Sequence, residues 1–226
     1  SYNKGAVKAV DNLKMEVDKG EIFGFLGPNG AGKTTTIKMM VGLLNPDGGS
    51  IEINGTEIGR EPIKAKENIG FVPDNPNIYE RLTGTEYLNF MADVYRVSAE
   101  QRKERIEEYL EMFELKDAAS DLIKSYSHGM KQKIALTGAL IHDPAVWVLD
   151  EPMVGLDPKS AHLLKEQMRK HCDRGNTVFF STHIKLCDRI GIIHKGKLIA
   201  IGTLDELRHG DNKDSLENIF LELTEK

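Results

Sequence analysis

A glycine-rich loop between a predicted strand and a predicted helix is the feature that most constrains this sequence. Residues 22–26 form a short apolar run with strand character, and Gly27 follows at once. Gly32, Lys33 and Thr34 complete the spacing G-x-x-x-x-G-K-[ST], which binds phosphate when a strand precedes it and a helix follows. Glycines let the backbone curl so that its N–H groups point inward at phosphate oxygens. The alternative, an ordinary turn before a helix, requires Lys and Thr to stand at this spacing by chance.

This loop predicts a set of residues that hold the phosphates of a nucleotide. The helix that begins near Lys33 directs its positive dipole end at the same oxygens. Lys33 supplies a cation for the β- and γ-phosphates, and the Thr34 hydroxyl is a ligand for Mg²⁺. The predicted contacts are Gly27, Pro28, Asn29, Gly30, Ala31, Gly32, Lys33, Thr34 and Thr35.

Composition limits the classes of protein that the chain can represent. With 226 residues it can form one domain with a substantial core. A formal net charge of −5 and the lack of an evident basic stripe argue against a general nucleic-acid binder. No apolar run approaches the roughly 18–20 residues that span a bilayer, and the polar start argues against a signal peptide, so a membrane role requires a partner. Cys172 and Cys187 lack metal or redox spacing and are predicted to be buried thiols in a reducing compartment.

Alternating strands and helices predict an α/β fold with a mainly parallel sheet covered on both faces. Predicted strands occupy 6–17, 22–26, 69–72, 145–149 and 177–181, with hairpins at 51–58 and 190–201. Predicted helices are 34–44, 85–95, 98–115, 129–141, 159–174 and 214–225. Asn54-Gly55, a pair favoured in type I′ turns, and Lys195-Gly196 are the expected hairpin turns. Trp147 is predicted to lie in the core. We expect one domain, 1–226, with a helical subdomain inserted at about 80–140.

Two carboxylates follow the apolar run 145–149, and ligands of open α/β sheets bind at the carboxyl ends of strands. Asp150 is predicted to hold Mg²⁺, and Glu151 to orient or deprotonate an attacking water. His183 follows the next strand and can reach the γ-phosphate from the same edge. Alone, the acidic pair would be read as a solvated strand end and His183 as a structural residue; the phosphate loop favours the catalytic interpretation.

Taken in order, these motifs resemble the nucleotide-binding domain of an ATP-binding cassette (ABC) transporter over essentially the whole chain. The matching segments are the phosphate loop GPNGAGKT (27–34), the Walker B run VWVLDEP (146–152), the D-loop Gly155–Asp157, the switch-histidine segment Ser181–His183 and the signature (126–130). The signature, usually LSGGQ, reads YSHGM in this chain. Residues 127–132 are similar to the S-x-G-M-K-Q pattern of exporters for antibiotics and similar small molecules.

This resemblance implies a P-loop NTPase core with an antiparallel β subdomain and an inserted helical subdomain. It implies that Tyr2 stacks on adenine, and that Ser127 and Gly129 contact the γ-phosphate of ATP held by a second cassette. The cassettes would form a head-to-tail homodimer or heterodimer. The implied activity is Mg²⁺-dependent ATP hydrolysis that powers transport through separate transmembrane permease subunits at the cytoplasmic face of the membrane. No nucleic-acid partner is expected.

The chain departs from the family pattern at three positions. His128 and Met130 replace the usual glycine and glutamine of the signature, and Asp74 replaces the Q-loop glutamine. As one interpretation, Asp74 acts in catalysis and joins Thr34 and Asp150 as a Mg²⁺ ligand when Mg·ATP is bound. As the other, its carboxylate only accepts a hydrogen bond in an Asx-turn before Asn75-Pro76.

A second class of function remains possible from the sequence. The same cassette occurs in ATP-driven switch proteins that act on nucleic acid or ribosomes. Such relatives usually carry two cassettes or a long coiled-coil insertion, which this sequence lacks, and its net charge is unsuited to a DNA clamp. The transporter interpretation is therefore favoured.

Overall fold

A six-stranded sheet forms the centre of the computed structural model, which describes residues 8–181 and 186–207. The strands are β1 (Ile22–Leu26), β2 (Glu52–Ile53), β3 (Thr56–Glu57), β4 (Ile69–Val72), β5 (Val146–Asp150), β6 (Thr177–Ser181), β7 (Arg189–His194) and β8 (Lys197–Gly202). The large sheet has the order β4-β5-β6-β1-β7-β8, and only β7 and β8 pair antiparallel. β2 and β3 form a separate antiparallel pair. The predicted α/β, P-loop NTPase-like fold with a mainly parallel sheet is confirmed.

Helices connect and cover the strands. They are α1 (Lys33–Met40), α2 (Pro62–Glu67), α3 (Gly84–Val94), α4 (Ala99–Met112), α5 (His128–Leu140), α6 (Pro158–Asp173) and α7 (Leu204–Leu207). The starts of α3, α4, α5 and α6 are set by Thr83, Ser98, Ser127 and Asp157, whose side-chain oxygens accept a hydrogen bond from a first-turn N–H group. These four helices match the predicted ones to within three residues at each end. The division into a helical subdomain at about 80–140 stays a prediction.

The two faces of the sheet bury separate clusters, because successive side chains of a strand point to opposite faces. On one face Trp147 and Phe180 pack under α3, α4, α5 and α6, which confirms the predicted core position of the tryptophan. On the other face Phe23, Phe25 and Phe179 pack against α1 and α2. Both clusters hold the strand ends of the sheet in fixed positions, and these ends carry the predicted site.

Both predicted hairpins are confirmed. Asn54 and Gly55 have φ values of 46° and 76°, as a type I′ turn requires, and Lys195 and Gly196 have φ values of 47° and 79°. A type I′ turn matches the twist of the flanking strands, so two residues suffice to reverse the chain.

The predicted strand at 6–17 is wrong for residues 8–17, which form no strand. The alternation that suggested it is nevertheless present, since Leu13, Met15 and Val17 are half-buried against the cluster under α1. Alternating burial produces a strand only where a neighbouring backbone supplies ladder hydrogen bonds.

Three further predictions need correction or completion. The helix predicted at 34–44 ends at Met40, because Gly42 adopts a φ of +66° and the Leu44 N–H turns back to the Lys38 carbonyl at 3.0 Å. α2 was not predicted. Cys172 is buried as expected, whereas Cys187 is only half-buried. The terminal helix predicted at 214–225 lies outside the described residues.

One fully buried and one half-buried histidine form no ion pair with a carboxylate of residues 8–181 or 186–207. His171 is fully buried against the edge of the Trp147 ring, with ring centroids 5.9 Å apart. His142 stacks on Tyr95 at 3.6 Å, and its Nε2 lies 3.1 Å from the Ile69 carbonyl oxygen. Burial lowers the pKa of each imidazole to about 4.

We expect the free energy of unfolding to fall when the pH drops from about 6.5 toward 4. The unfolded chain takes up protons on both imidazoles near pH 6.5, whereas the folded chain does so only near pH 4. At pH 5 the loss should be about 2 kcal/mol for each histidine. Urea unfolding at pH 7.5 and pH 5 measures it. His142→Gln keeps a donor for the Ile69 carbonyl and should reduce the pH dependence; an unchanged slope would contradict the assignment for that residue.

Candidate nucleotide-binding site

The glycine-rich loop owes its shape to close backbone contacts. It leaves β1 at Gly27 and enters α1 after Gly32. A Cβ on Gly27 would collide with the Ile193 carbonyl oxygen of β7, and one on Gly32 would collide with the Ala9 carbonyl oxygen. Gly32 also has a φ of +109°, which disfavours any other residue. Glycine at these two positions is therefore required by the fold.

The start of α1 differs from the starts of α3 to α6. Its N-cap is Gly32, which offers no side-chain oxygen to the first N–H groups of the helix. The first four N–H groups of a helix have no partner within it, so an uncapped start suits an anion. Thr34 and Thr35 lie in this first turn, and Pro28, Asn29, Gly30 and Ala31 form the loop before it. This placement agrees with the predicted phosphate contacts, whose roles stay predictions.

Lys33 holds its ammonium group over the loop that precedes it. Its Nζ donates to the carbonyl oxygens of Gly27 at 2.6 Å and Pro28 at 3.2 Å. The ammonium group therefore lies inside the curve of the loop, where it can meet an anion that the backbone N–H groups also bind.

The acidic pair lies at the carboxyl end of β5, two strands from the loop. Asp150 is 3% exposed, and its Oδ1 accepts a hydrogen bond of 2.5 Å from Ser181 Oγ. The same Oγ accepts a 2.9 Å bond from the backbone N–H of Glu151. Glu151 has a φ of +48°, an uncommon value outside glycine that is frequent at functional sites.

Ser181 is a site residue whose position the sequence did not reveal. It ends β6, the strand between β5 and β1, and pairs in register with Asp150 on one side and Phe25 on the other. Its hydroxyl thus links the acidic pair to the strand that feeds the phosphate loop. The sequence placed Ser181 only beside the switch histidine, because strand order is not readable from a single chain.

A cleft of about 160 Å³ lies between the loop and Glu151. Its lining residues are Phe25, Leu26, Gly27, Lys33, Glu151, Met153, Val154 and Ser181. Lys33 and Glu151 therefore line one cleft, although more than a hundred positions separate them in the chain. Met153 and Val154 also line the cleft, and no motif in the sequence pointed to either residue.

The signature segment, residues 126–130, does not line this cleft. Ser127 is exposed and caps α5, accepting a 3.2 Å hydrogen bond from the Met130 N–H, and Gly129 is half-buried beside it. Among the described residues that line the cleft, none comes from this segment. Ser127 and Gly129 therefore do not line this cleft of their own chain.

Asp74 and two other predicted residues are not placed in the cleft. Asp74 follows β4 and is exposed, and no described residue donates a hydrogen bond to its carboxylate, so the Asx-turn bond of the second interpretation is absent there. Tyr2 and His183 lie outside the described residues. The roles of all three stay predictions.

The sheet, the loop at its carboxyl edge and the acidic pair beside it define a P-loop nucleotide-binding protein. The chain belongs to the ABC transporter family: residues 10–154 match the sequence profile described as "ABC transporter". It is an ATP-binding, ATP-hydrolysing cassette of that family. No helix in ranges 8–181 and 186–207 combines the length and apolar character needed to cross a membrane.

Known proteins that are similar to this chain are also ATP-binding proteins or cassettes of ABC transporters. It is 42% identical over 212 residues to the linearmycin resistance ATP-binding protein LnrL of Bacillus subtilis, a match that covers 92% of this chain and 68% of LnrL. A solved ATP-binding subunit of an ABC transporter has a TM-score of 0.93 and 35% identity, covering 97% of this chain and 94% of the other. A dimeric cassette in a post-hydrolysis state, bound to ADP and Pi, has a TM-score of 0.78 and 27% identity, covering 92% and 96%.

Proposed function

We propose that this chain works as one half of a cassette dimer that exports small molecules through separate transmembrane permease subunits. The observation that carries the proposal is that Lys33 and Glu151 line one cleft. A cation for the phosphates and a carboxylate that can act as a base are the groups that ATP hydrolysis requires. The similarity to a protein named for linearmycin resistance supports the export of antibiotic-like molecules. Docking on a permease would place the chain at the cytoplasmic face of the membrane.

In the proposed reaction, Lys33 and the backbone N–H groups of the loop bind the β- and γ-phosphates of ATP. Glu151 accepts a proton from the attacking water, whose oxygen bonds to the γ-phosphorus as the bond to the leaving ADP oxygen breaks. Ser181 holds the Glu151 backbone and the Asp150 carboxylate in place through its hydroxyl. We propose that His183, which follows β6 by two residues in the sequence, contacts the γ-phosphate.

Two oxygen donors that follow or precede cleft-lining residues in the sequence suit Mg²⁺. The Thr34 hydroxyl and the Asp150 carboxylate are hard ligands, and Mg²⁺ commonly takes one or two carboxylates together with substrate phosphates. No group of three or more His, Cys, Asp or Glu side chains that could hold a metal occurs within the described ranges. Phosphate oxygens would therefore complete the coordination, and the bound ion would neutralise charge that develops on the phosphates.

The position of the signature supports a head-to-tail dimer. Ser127 and Gly129 do not line their own chain's cleft, which fits a role at the nucleotide site of a second cassette. The solved cassette bound to ADP and Pi is dimeric by its description. We propose that ATP is held between the loop of one chain and the signature of its partner.

Mixing two inactive variants tests this arrangement. Ser127→Asp keeps a good N-cap for α5 but opposes the γ-phosphate with a negative charge. We expect little ATPase activity from Ser127→Asp alone or from Lys33→Ala alone. A mixture should recover part of the parental rate, since a mixed dimer contains one site with an intact Lys33 and an intact Ser127. If both variants stay inactive when mixed, or if Ser127→Asp alone matches the parent, the head-to-tail arrangement is refuted.

The Asp74 carboxylate gives a separate prediction about Mg²⁺. If it reaches the metal when Mg·ATP is bound, Asp74→Ala should raise the half-saturating Mg²⁺ concentration and lower the maximal rate, whereas Asp74→Gln should keep much of the activity. The measurement is the ATPase rate against Mg²⁺ concentration for the parent and both variants. An Asp74→Ala protein equal to the parent in both parameters would leave the carboxylate without a part in the chemistry.

A further inference from the structure

The first turn of α5 and the segment after β5 touch through two glycines. A Cβ on Gly129 would lie 2.9 Å from the Gly155 carbonyl oxygen, closer than such contacts allow. A Cβ on Gly155 would collide with Cδ2 of His128 and lie 2.7 Å from its Nε2. The imidazole of His128 therefore fills the space that a side chain at position 155 would need. Two missing Cβ atoms allow this close approach.

The segment that His128 touches also carries the proposed general base. Residues 151–157 form a compact turn in which the Val154 N–H donates to the Glu151 carbonyl at 3.2 Å, and the Leu156 N–H donates to the Met153 carbonyl at 3.3 Å. Gly155 has a φ of +79°, so the turn depends on a conformation that other residues rarely adopt. A shift of the backbone at Gly155 would therefore be passed to Glu151.

Two polar contacts attach α5 to both ends of this turn. Gln132 Nε2 donates to the Pro152 carbonyl at 3.4 Å, and Lys133 Nζ lies 3.5 Å from the Asp157 carboxylate. Asp157 also accepts hydrogen bonds from the N–H and hydroxyl of Ser160, which hold the pKa of its carboxyl well below the usual range. These contacts fix where α5 meets the turn, and the ring of the exposed His128 lies against the turn at Gly155.

We infer that His128 is a positioning residue: its ring, seated on Gly155, makes the signature turn and the segment 151–157 of the same chain move as one unit. This inference rests on the proposed dimer. There, Ser127 and Gly129 meet the ATP of the partner, while Glu151 serves the chain's own ATP. His128 thus couples the occupancy of one site to the placement of the base in the other.

The coupling is tested by four proteins: the parent, His128→Ala, Gly155→Ala and the double variant. We expect His128→Ala to lower kcat by about tenfold with an unchanged KM for ATP, because displacement of a catalytic group by ~1 Å can cost about 10²-fold. Gly155→Ala should be impaired more strongly, since its methyl group meets the ring. The double variant should be more active than Gly155→Ala alone, because removal of the ring restores the space.

Two controls separate this role from ordinary structural damage. Gly175 has a φ of +87° and open space around its Cβ position, so Gly175→Ala introduces the backbone strain without the collision and should leave kcat unchanged. His128→Phe keeps a ring of similar shape without a titratable nitrogen, and we expect it to retain a kcat close to the parent. If Gly155→Ala does not fold, the comparison of His128→Phe with His128→Ala decides alone.

The results of these experiments separate a failure of the positioning role from a failure of the proposed function. Equal losses from Gly155→Ala with and without His128, or a His128→Phe protein as impaired as His128→Ala, would overturn the positioning role. ATP-dependent dimerisation is measured separately by gel filtration in a Glu151→Gln background. No dimer in that background would refute the proposed function itself, whereas a dimer together with no rescue by the double variant would refute only the inference.

Discussion

Replacing Glu151 by Gln is expected to lower ATP turnover by about 10²–10⁴-fold while leaving ATP binding intact. The amide keeps the size of the side chain and the backbone hydrogen bond to Ser181 Oγ, so the cleft should keep its shape. It cannot accept the proton of the attacking water. Removing one negative charge also relieves repulsion with the γ-phosphate, so the variant should accumulate as an ATP-held dimer. Steady-state ATPase assays, calorimetry and gel filtration with ATP measure these three effects.

A matched substitution separates the loss of the base from a general loss of charge. Glu67 is exposed on α2, far from β5 in the chain, and Glu67→Gln makes the same chemical change there. We expect Glu67→Gln to hydrolyse ATP at the parental rate. Parental turnover by Glu151→Gln would show that this carboxylate is not the base.

Removing the ammonium group of Lys33 should weaken both ATP binding and turnover. A charge-assisted hydrogen bond is typically worth about 1.5–3 kcal/mol, which corresponds to about 10- to 150-fold in Kd. Lys33→Ala also removes the two bonds by which Nζ holds the carbonyl oxygens of Gly27 and Pro28, so the loop loses an internal constraint. Isothermal calorimetry with ATP and Mg²⁺ measures the change in Kd.

The control for Lys33 lies on the same helix. Lys38 is exposed in the last turn of α1, and Lys38→Ala removes one positive charge without touching the loop. We expect its ATP affinity to match that of the parent. Unchanged affinity in Lys33→Ala would refute the phosphate-contact assignment, and equal losses in both variants would attribute the effect to net charge.

Local sequence determined the parts of the fold that depend on neighbouring residues. The apolar run 22–26 became β1, and the turns at Asn54-Gly55 and Lys195-Gly196 formed with the expected positive φ values. The helix starts at Ser127 and Asp157 follow from side chains that bond to N–H groups three residues on. Each of these signals is complete within a few residues, because the interactions that produce it are equally local.

The predictions from sequence were wrong where the periodicity of side chains did not show which backbone hydrogen bonds form. Residues 8–17 show the alternation of a strand but form none, because the bond from the Asp11 N–H to the Gly196 carbonyl is not continued as a ladder with the described residues. α1 stops at Met40, because Gly42 turns the chain back on the last turn. A helical period does not reveal which glycine will end the helix, since glycine is tolerated within a helix at modest cost.

The sequence by itself determined the phosphate loop, the acidic pair and the membership of a family, because each rests on residue types at fixed short spacing. Only the tertiary structure shows that Lys33 and Glu151 line one cleft, and that Ser181, on the strand between β5 and β1, bonds to Asp150. It also shows that the His128 ring contacts Gly155. The physical reason is the strand order: β6 lies between β5 and β1, and parallel pairing brings residues more than a hundred positions apart to one edge of the sheet. Parallel strands are joined by long crossover connections, so the residues next to a strand do not reveal which strands lie beside it in the sheet.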